Sequence, residues 1–71
     1  MYIRSQNKEE LADFSRLSIE CINNSYYIST PDVSSYHSIG GYKSKERCIE
    51  VLNELQTAVD RGLSTFDMPK E

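Results

Sequence analysis

The run Gly40-Gly41-Tyr42-Lys43-Ser44-Lys45-Glu46-Arg47 gathers more chemistry-bearing residue types than any other stretch of the chain. Glycines let a main chain approach a ligand closely, and a helix starting at Ser44 presents unpaired N–H groups beside Lys43, Lys45 and Arg47. That combination suits a small, nucleotide-like anion. Arg4, which shares a strand face with Tyr2 and Gln6, joins the site only if its strand borders the one that carries the glycines. The spacing is not that of a P-loop. A β-bulge followed by a capped helix with solvated charges accounts for the same residues and is the commoner arrangement.

Catalysis finds little support. His37 is the sole histidine, it sits among serines, and no G-x-S-x-G or paired-carboxylate motif accompanies it. The expectation is a protein that is not an enzyme. Cys21 and Cys48 form no C-x-x-C pair, and with one histidine they are too few for a structural zinc site, so neither metal nor cofactor is expected. The apolar pattern assigns both cysteines to the interior as free thiols.

A second group of residues points to recognition of a partner. Glu46, Glu50 and Glu54 recur at i, i+4 and lay an acidic row along one helix face, where like charges repel. A solvated face is the usual reason for such a row; complementarity to a basic partner surface is the other. Tyr26, Tyr27, Tyr36 and Tyr42 add side chains enriched at interfaces, although tyrosine is equally an ordinary strand former. From this group Tyr27, Glu46, Glu50, Glu54 and Phe66 are the candidate partner-binding residues.

The elements that position these groups follow from periodicity. Alternation predicts a strand in residues 1–6, then a polar break, then a turn at Leu11 to Phe14 with Leu11 and Phe14 tucked inward. Alternation from Ser15 puts Leu17, Ile19 and Cys21 on one strand face. Asn23-Asn24 tolerates the positive φ of a tight hairpin, so Ser25 to Thr30 is expected to return antiparallel, with Tyr26 and Ile28 on one side. Thr30-Pro31-Asp32 reads as a loop, and a fourth strand fits His37 to Tyr42 with a bulge at Gly40-Gly41. Lys45 to Arg61 repeats Cys48, Val51, Leu52, Leu55, Ala58 and Val59 on one helical face, after a Ser44 N-cap and before Gly62 as left-handed cap. Strands followed by one amphipathic helix predict an α+β domain over residues 1–71: a small antiparallel sheet of about four strands with the C-terminal helix on one face.

With 71 residues, 27% charged and 38% hydrophobic, the chain supports one small core and no membrane-spanning run. Eleven acidic against eight basic residues give a net charge of −3, the wrong sign for general nucleic-acid binding. Without an apolar leader, the expectation is a cytoplasmic protein. One helix covers one sheet face only, leaving Tyr2, Ile22, Tyr27 and the tail Leu63, Phe66 and Met68 in need of shelter, which predicts a homo-oligomer joined through that tail; the alternative is an intramolecular edge strand at Thr65 to Met68, ended by Pro69.

Tyr2-Ile3-Arg4-Ser5-Gln6-Asn7-Lys8, Ile39-Gly40-Gly41-Tyr42 with Ser44-Lys45-Glu46-Arg47, Glu50-Val51-Leu52 and Phe66-Asp67-Met68-Pro69 together resemble a group of small proteins of Gram-positive bacteria and their phages. In that group an Ile-Arg-Ser-Gln start and a Leu-Gly-x-Tyr-x-Ser-Lys-Glu-Arg-Ala stretch are usual; Ile39 and Cys48 stand here for the Leu and the Ala. The resemblance implies a phage or prophage origin and carries no catalytic residue. By analogy with small phage proteins, the expected role is to engage or inhibit a host protein. The alternative is an oligomer that sequesters an anionic small molecule.

Overall fold

A computed structural model describes residues 1–13, 16–31 and 36–71. Its order is β1 (Tyr2–Arg4), β2 (Leu11–Asp13), β3 (Ser18–Ile22), β4 (Ser25–Pro31), β5 (Tyr36–Tyr42), α1 (Lys45–Asp60) and β6 (Thr65–Asp67). The fold is α+β, with the helix packed against the strands. In place of one four-stranded sheet there are two of three strands, in the orders β2-β1-β6 and β3-β4-β5.

The β3-β4-β5 sheet is an antiparallel meander. Asn23 (φ 51°) and Asn24 (φ 65°) both take the left-handed conformation that a two-residue hairpin requires, and β3 and β4 then pair from Ile22↔Ser25 to Ser18↔Ser29. The β4–β5 register shifts between Ile28 and Ser29, whose partners are Gly40 and Ser38, so Ile39 is the extra residue of a bulge beside the predicted glycines. Strand β4 runs on through Pro31, which stands at its last position, where the missing N–H costs least. Residues 32–35, the rest of the expected loop, lie outside the described residues, as does Phe14.

Helix α1 starts at a Ser44 cap, whose Oγ accepts the Arg47 N–H at 3.0 Å. It ends in a Schellman motif: Gly62 (φ 70°) donates to the Val59 carbonyl at 2.9 Å and Leu63 to that of Ala58 at 3.1 Å. Cys48, Val51, Leu55 and Ala58 are buried beneath it, with Ile28, Ile39, Tyr42, Ile3 and Met68 in the same core. Leu52 is only half-buried and Val59 is exposed, because they flank the stripe that faces the sheet.

The smaller sheet departs most from expectation. Leu11–Asp13 is a strand rather than a turn, antiparallel to β1, and Leu11 is exposed rather than tucked in. Residues 65–67 pair with β1 in parallel, Ile3 against Phe66. The tail therefore finds shelter within the monomer: Met68 is 1% exposed and Phe66 half-buried against the core, leaving only Leu63 of the three largely exposed. Cys21 is exposed, because it lies near the hairpin tip beyond the reach of the helix; Cys48 is buried as expected.

Candidate functional site

Where β1, β5, the start of α1 and residues 69–71 meet, polar side chains do the joining. The Gln6 side chain behaves like one residue of a neighbouring strand: its Oε1 accepts the Gly41 N–H at 2.8 Å and its Nε2 donates to the Gly41 carbonyl at 2.9 Å. The Gln6 main-chain N–H donates to Ile39 at 2.9 Å, continuing the seam between the sheets. The same Nε2 reaches the carbonyls of Pro69 (3.3 Å) and Lys70 (2.8 Å).

Beside this seam opens a cleft of about 860 Å³, between the β3–β4 hairpin and the helix start. Tyr26, Tyr27 and Tyr42 give it aromatic walls, Lys43, Arg47 and Lys70 bring positive charge, and Glu46, Glu50 and Glu71 bring negative charge. The two glycines are used inside the protein. A Cβ on Gly40 would meet the Tyr42 ring and hydroxyl at 3.1 Å and Met68 at 3.2 Å; one on Gly41 would meet the Tyr27 ring at 3.2 Å. They admit two tyrosines at the base of the cleft, and the close approach predicted for a ligand is made by these rings.

Arg47 organises the helix side. Its guanidinium donates to Glu50 at 3.1 Å and Glu54 at 3.2 Å, its Nε to the Glu71 main-chain oxygen at 2.9 Å, and it stacks 5.9 Å from the centre of the Tyr42 ring. The hydrogen bond to Glu50, followed by the one to Glu54, raises its proton affinity further. The repulsion expected of the acidic row is thus relieved at two of its three members. Tyr42 is 6% exposed, its hydroxyl donates to Pro69 at 2.8 Å, and burial pushes that hydroxyl up to about 12. Burial likewise raises the Cys48 thiol, which keeps it protonated and unreactive.

Of the residues assigned to an anion, Gly41, Lys43, Ser44 and Arg47 do line this cleft. Gly40 is buried behind it, Lys45 is exposed off its walls, and Arg4 lies in the other sheet, with its guanidinium on the Lys8 carbonyl at 3.3 Å. Of the partner-binding group, Tyr27, Glu46 and Glu50 line the cleft, Glu54 stands behind Arg47, and Phe66 packs on the core instead of facing a partner. Sequence reasoning missed Gln6 and the tail residues Pro69, Lys70 and Glu71. The alternation of residues 1–6 puts Gln6 on a strand face with Tyr2 and Arg4, but periodicity does not reveal that its amide reaches positions 41 and 70. His37, read as loop or edge surface, is exposed with its Nε2 2.7 Å and 2.8 Å from the two Glu10 carboxylate oxygens.

Comparison with protein-family models, curated proteins and solved structures finds no match. Among the described residues no group of three or more His, Cys, Asp or Glu is placed to hold a metal ion, and no helix is long and apolar enough to cross a membrane. The functional reading therefore rests on the cleft.

Proposed function

We propose that the protein acts by binding rather than by catalysis, as a phage- or prophage-type accessory protein whose cleft engages part of a host protein. The observation that carries this reading is the make-up of the cleft: three tyrosines with lysines and carboxylates in near balance. Aromatic rings with mixed charge suit a polypeptide surface, whereas a multiply charged anion needs an excess of uncommitted cations. Arg47 is already taken up by Glu50 and Glu54.

The test is affinity capture from a bacterial lysate, with mass spectrometry of bound proteins and small molecules. One host protein is expected with the parent chain, lost with Tyr27→Asp plus Lys43→Glu and kept with Leu11→Asp on the far sheet. Loss with none of the variants, or capture of nothing, overturns the reading.

The convergence of Gly41, Lys43 and Ser44 at the helix start supports a second reading, a nucleotide-like anion held there. It expects nucleotides to raise the melting temperature of the parent and not of Lys43→Glu. Self-association belongs to both readings, now through exposed apolar side chains such as Tyr2, Leu11, Ile22 and Leu63 rather than through Phe66 and Met68. Light scattering that gives a mass near 8.2 kDa at every concentration overturns it.

A further inference from the structure

We infer that the element this cleft takes from its partner is an extended polypeptide segment, recognised by its main-chain carbonyls and exchanged for residues 69–71 of the chain itself. The inference rests on the binding reading above. Residues 69–71 already display the mode of recognition. The Pro69 oxygen accepts from the Tyr42 hydroxyl (2.8 Å) and from Gln6 (3.3 Å), the Lys70 oxygen from Gln6 (2.8 Å) and the Glu71 oxygen from Arg47 Nε (2.9 Å). Three successive residues are thus held by side chains from β5, α1 and the segment after β1, each bond falling on main chain.

The tail's own side chains contribute little to this hold. Lys70 and Glu71 are exposed and Pro69 is half-buried, whereas Met68, one residue earlier, is fully buried and donates its N–H to Arg4 at 3.0 Å. The anchored part of the chain therefore ends at Met68, and residues 69–71 form a strap fastened from outside. A peptide whose main chain follows the path of residues 69–71 offers carbonyls to the same donors, so exchange replaces these hydrogen bonds. Selectivity then comes from what the incoming side chains add against Tyr26 and Tyr27. The strap lowers apparent affinity by the fraction of molecules in which it is closed.

The experiment uses the full chain, labelled with 15N, and random peptides displayed on phage and selected against it. In the free protein the Lys70 and Glu71 amides are expected to be ordered. Saturation with a selected peptide should shift the Tyr26, Tyr27 and Tyr42 resonances and lower the order parameters of Lys70 and Glu71 from about 0.85 to below about 0.6. Pro69→Gly, which loosens the strap and leaves every donor in place, should tighten peptide binding about two- to fivefold. Gln6→Glu keeps the acceptor for the Gly41 N–H but loses the donor, so it should free the strap without peptide. Peptides that shift the tyrosines while Lys70 and Glu71 stay ordered overturn the exchange and leave the binding reading standing. Selected peptides that never perturb the tyrosines overturn both.

Discussion

In the β3-β4-β5 sheet, strands of five to seven residues pair in antiparallel ladders, broken once by the bulge at Ile39, under a sixteen-residue helix, and apolar side chains fill the space between. In the β2-β1-β6 sheet every strand is three residues long, and attachment to the rest runs through Ile3, Met68 and the Gln6 amide. The first region is stabilised mainly by area removed from water, which tolerates small errors of geometry. The second adds to the buried Ile3 and Met68 a few directional bonds between residues far apart in sequence, each lost whole when one partner goes.

Four substitutions or conditions put that contrast to the test. The largest effect is expected from Leu55→Ala, which empties a site only 3% exposed under the helix and should cost about 2 to 5 kcal/mol in urea unfolding. A cost below about 1 kcal/mol would show that the helix is not seated as described. Leu52, half-buried, should lose distinctly less, so the ranking of the two neighbours is itself a measurement of the helix's rotation.

Gln6→Ala comes next. It strands the Gly41 N–H and removes the tie to Pro69 and Lys70, for an expected loss of about 1 to 3 kcal/mol. Hydrogen exchange should then rise in β1 and β6 while β3 and β4 stay protected; a uniform rise would mean that the two sheets unfold as one unit. Gly62→Ala forces an alanine to φ 70° where nothing lies within 4 Å of the added Cβ, so the cost is conformational alone, about 1 kcal/mol in the same assay.

The last effect is absent at neutral pH and confined to alkali. The folded chain holds the Tyr42 proton to about 12 against an ordinary value of 10.0, so it binds that proton more tightly than the unfolded chain does. Stability from this source is intact below pH 10 and declines as pH rises from 10 towards 12, where the unfolded chain gains by ionising. Thermal melts across that window should show a shallower decline for Tyr42→Phe than for the parent; equal slopes would place Tyr42 in water.

The same contrast explains what the sequence could disclose. The helix, its caps and the Asn23-Asn24 hairpin are local events governed by spacing and by residues that tolerate positive φ, and they stand where spacing put them. Leu11–Asp13 lies in a stretch too short for a stable helix and so reads as a turn; what extends it is β1 beside it. Phe66 and Met68 looked like an unsheltered tail because the strand that receives them begins at the other end of the chain. For the candidate site, the helix-start cations and Tyr27 were legible by type. Gln6, whose work is done at Gly41 and Lys70, was not, and the glycines were legible as a close approach but not as one made by Tyr42 and Tyr27.

The parallel pairing of β1 with β6 has a mechanical consequence. Pulling residue 1 and residue 71 apart would draw β1 and β6 along their length in opposite directions, since the two strands point the same way. The bonds between them, including Tyr2 N–H to Ser64 at 2.9 Å and Met68 N–H to Arg4 at 3.0 Å, then share the load in shear instead of opening one after another. Once the ties of residues 69–71 to Tyr42 and Arg47 have let go, and until that seam slips, the β3–β4 hairpin and the helix lie outside the line of force. The shortest strands of the protein are thus the ones that would bear tension for the rest.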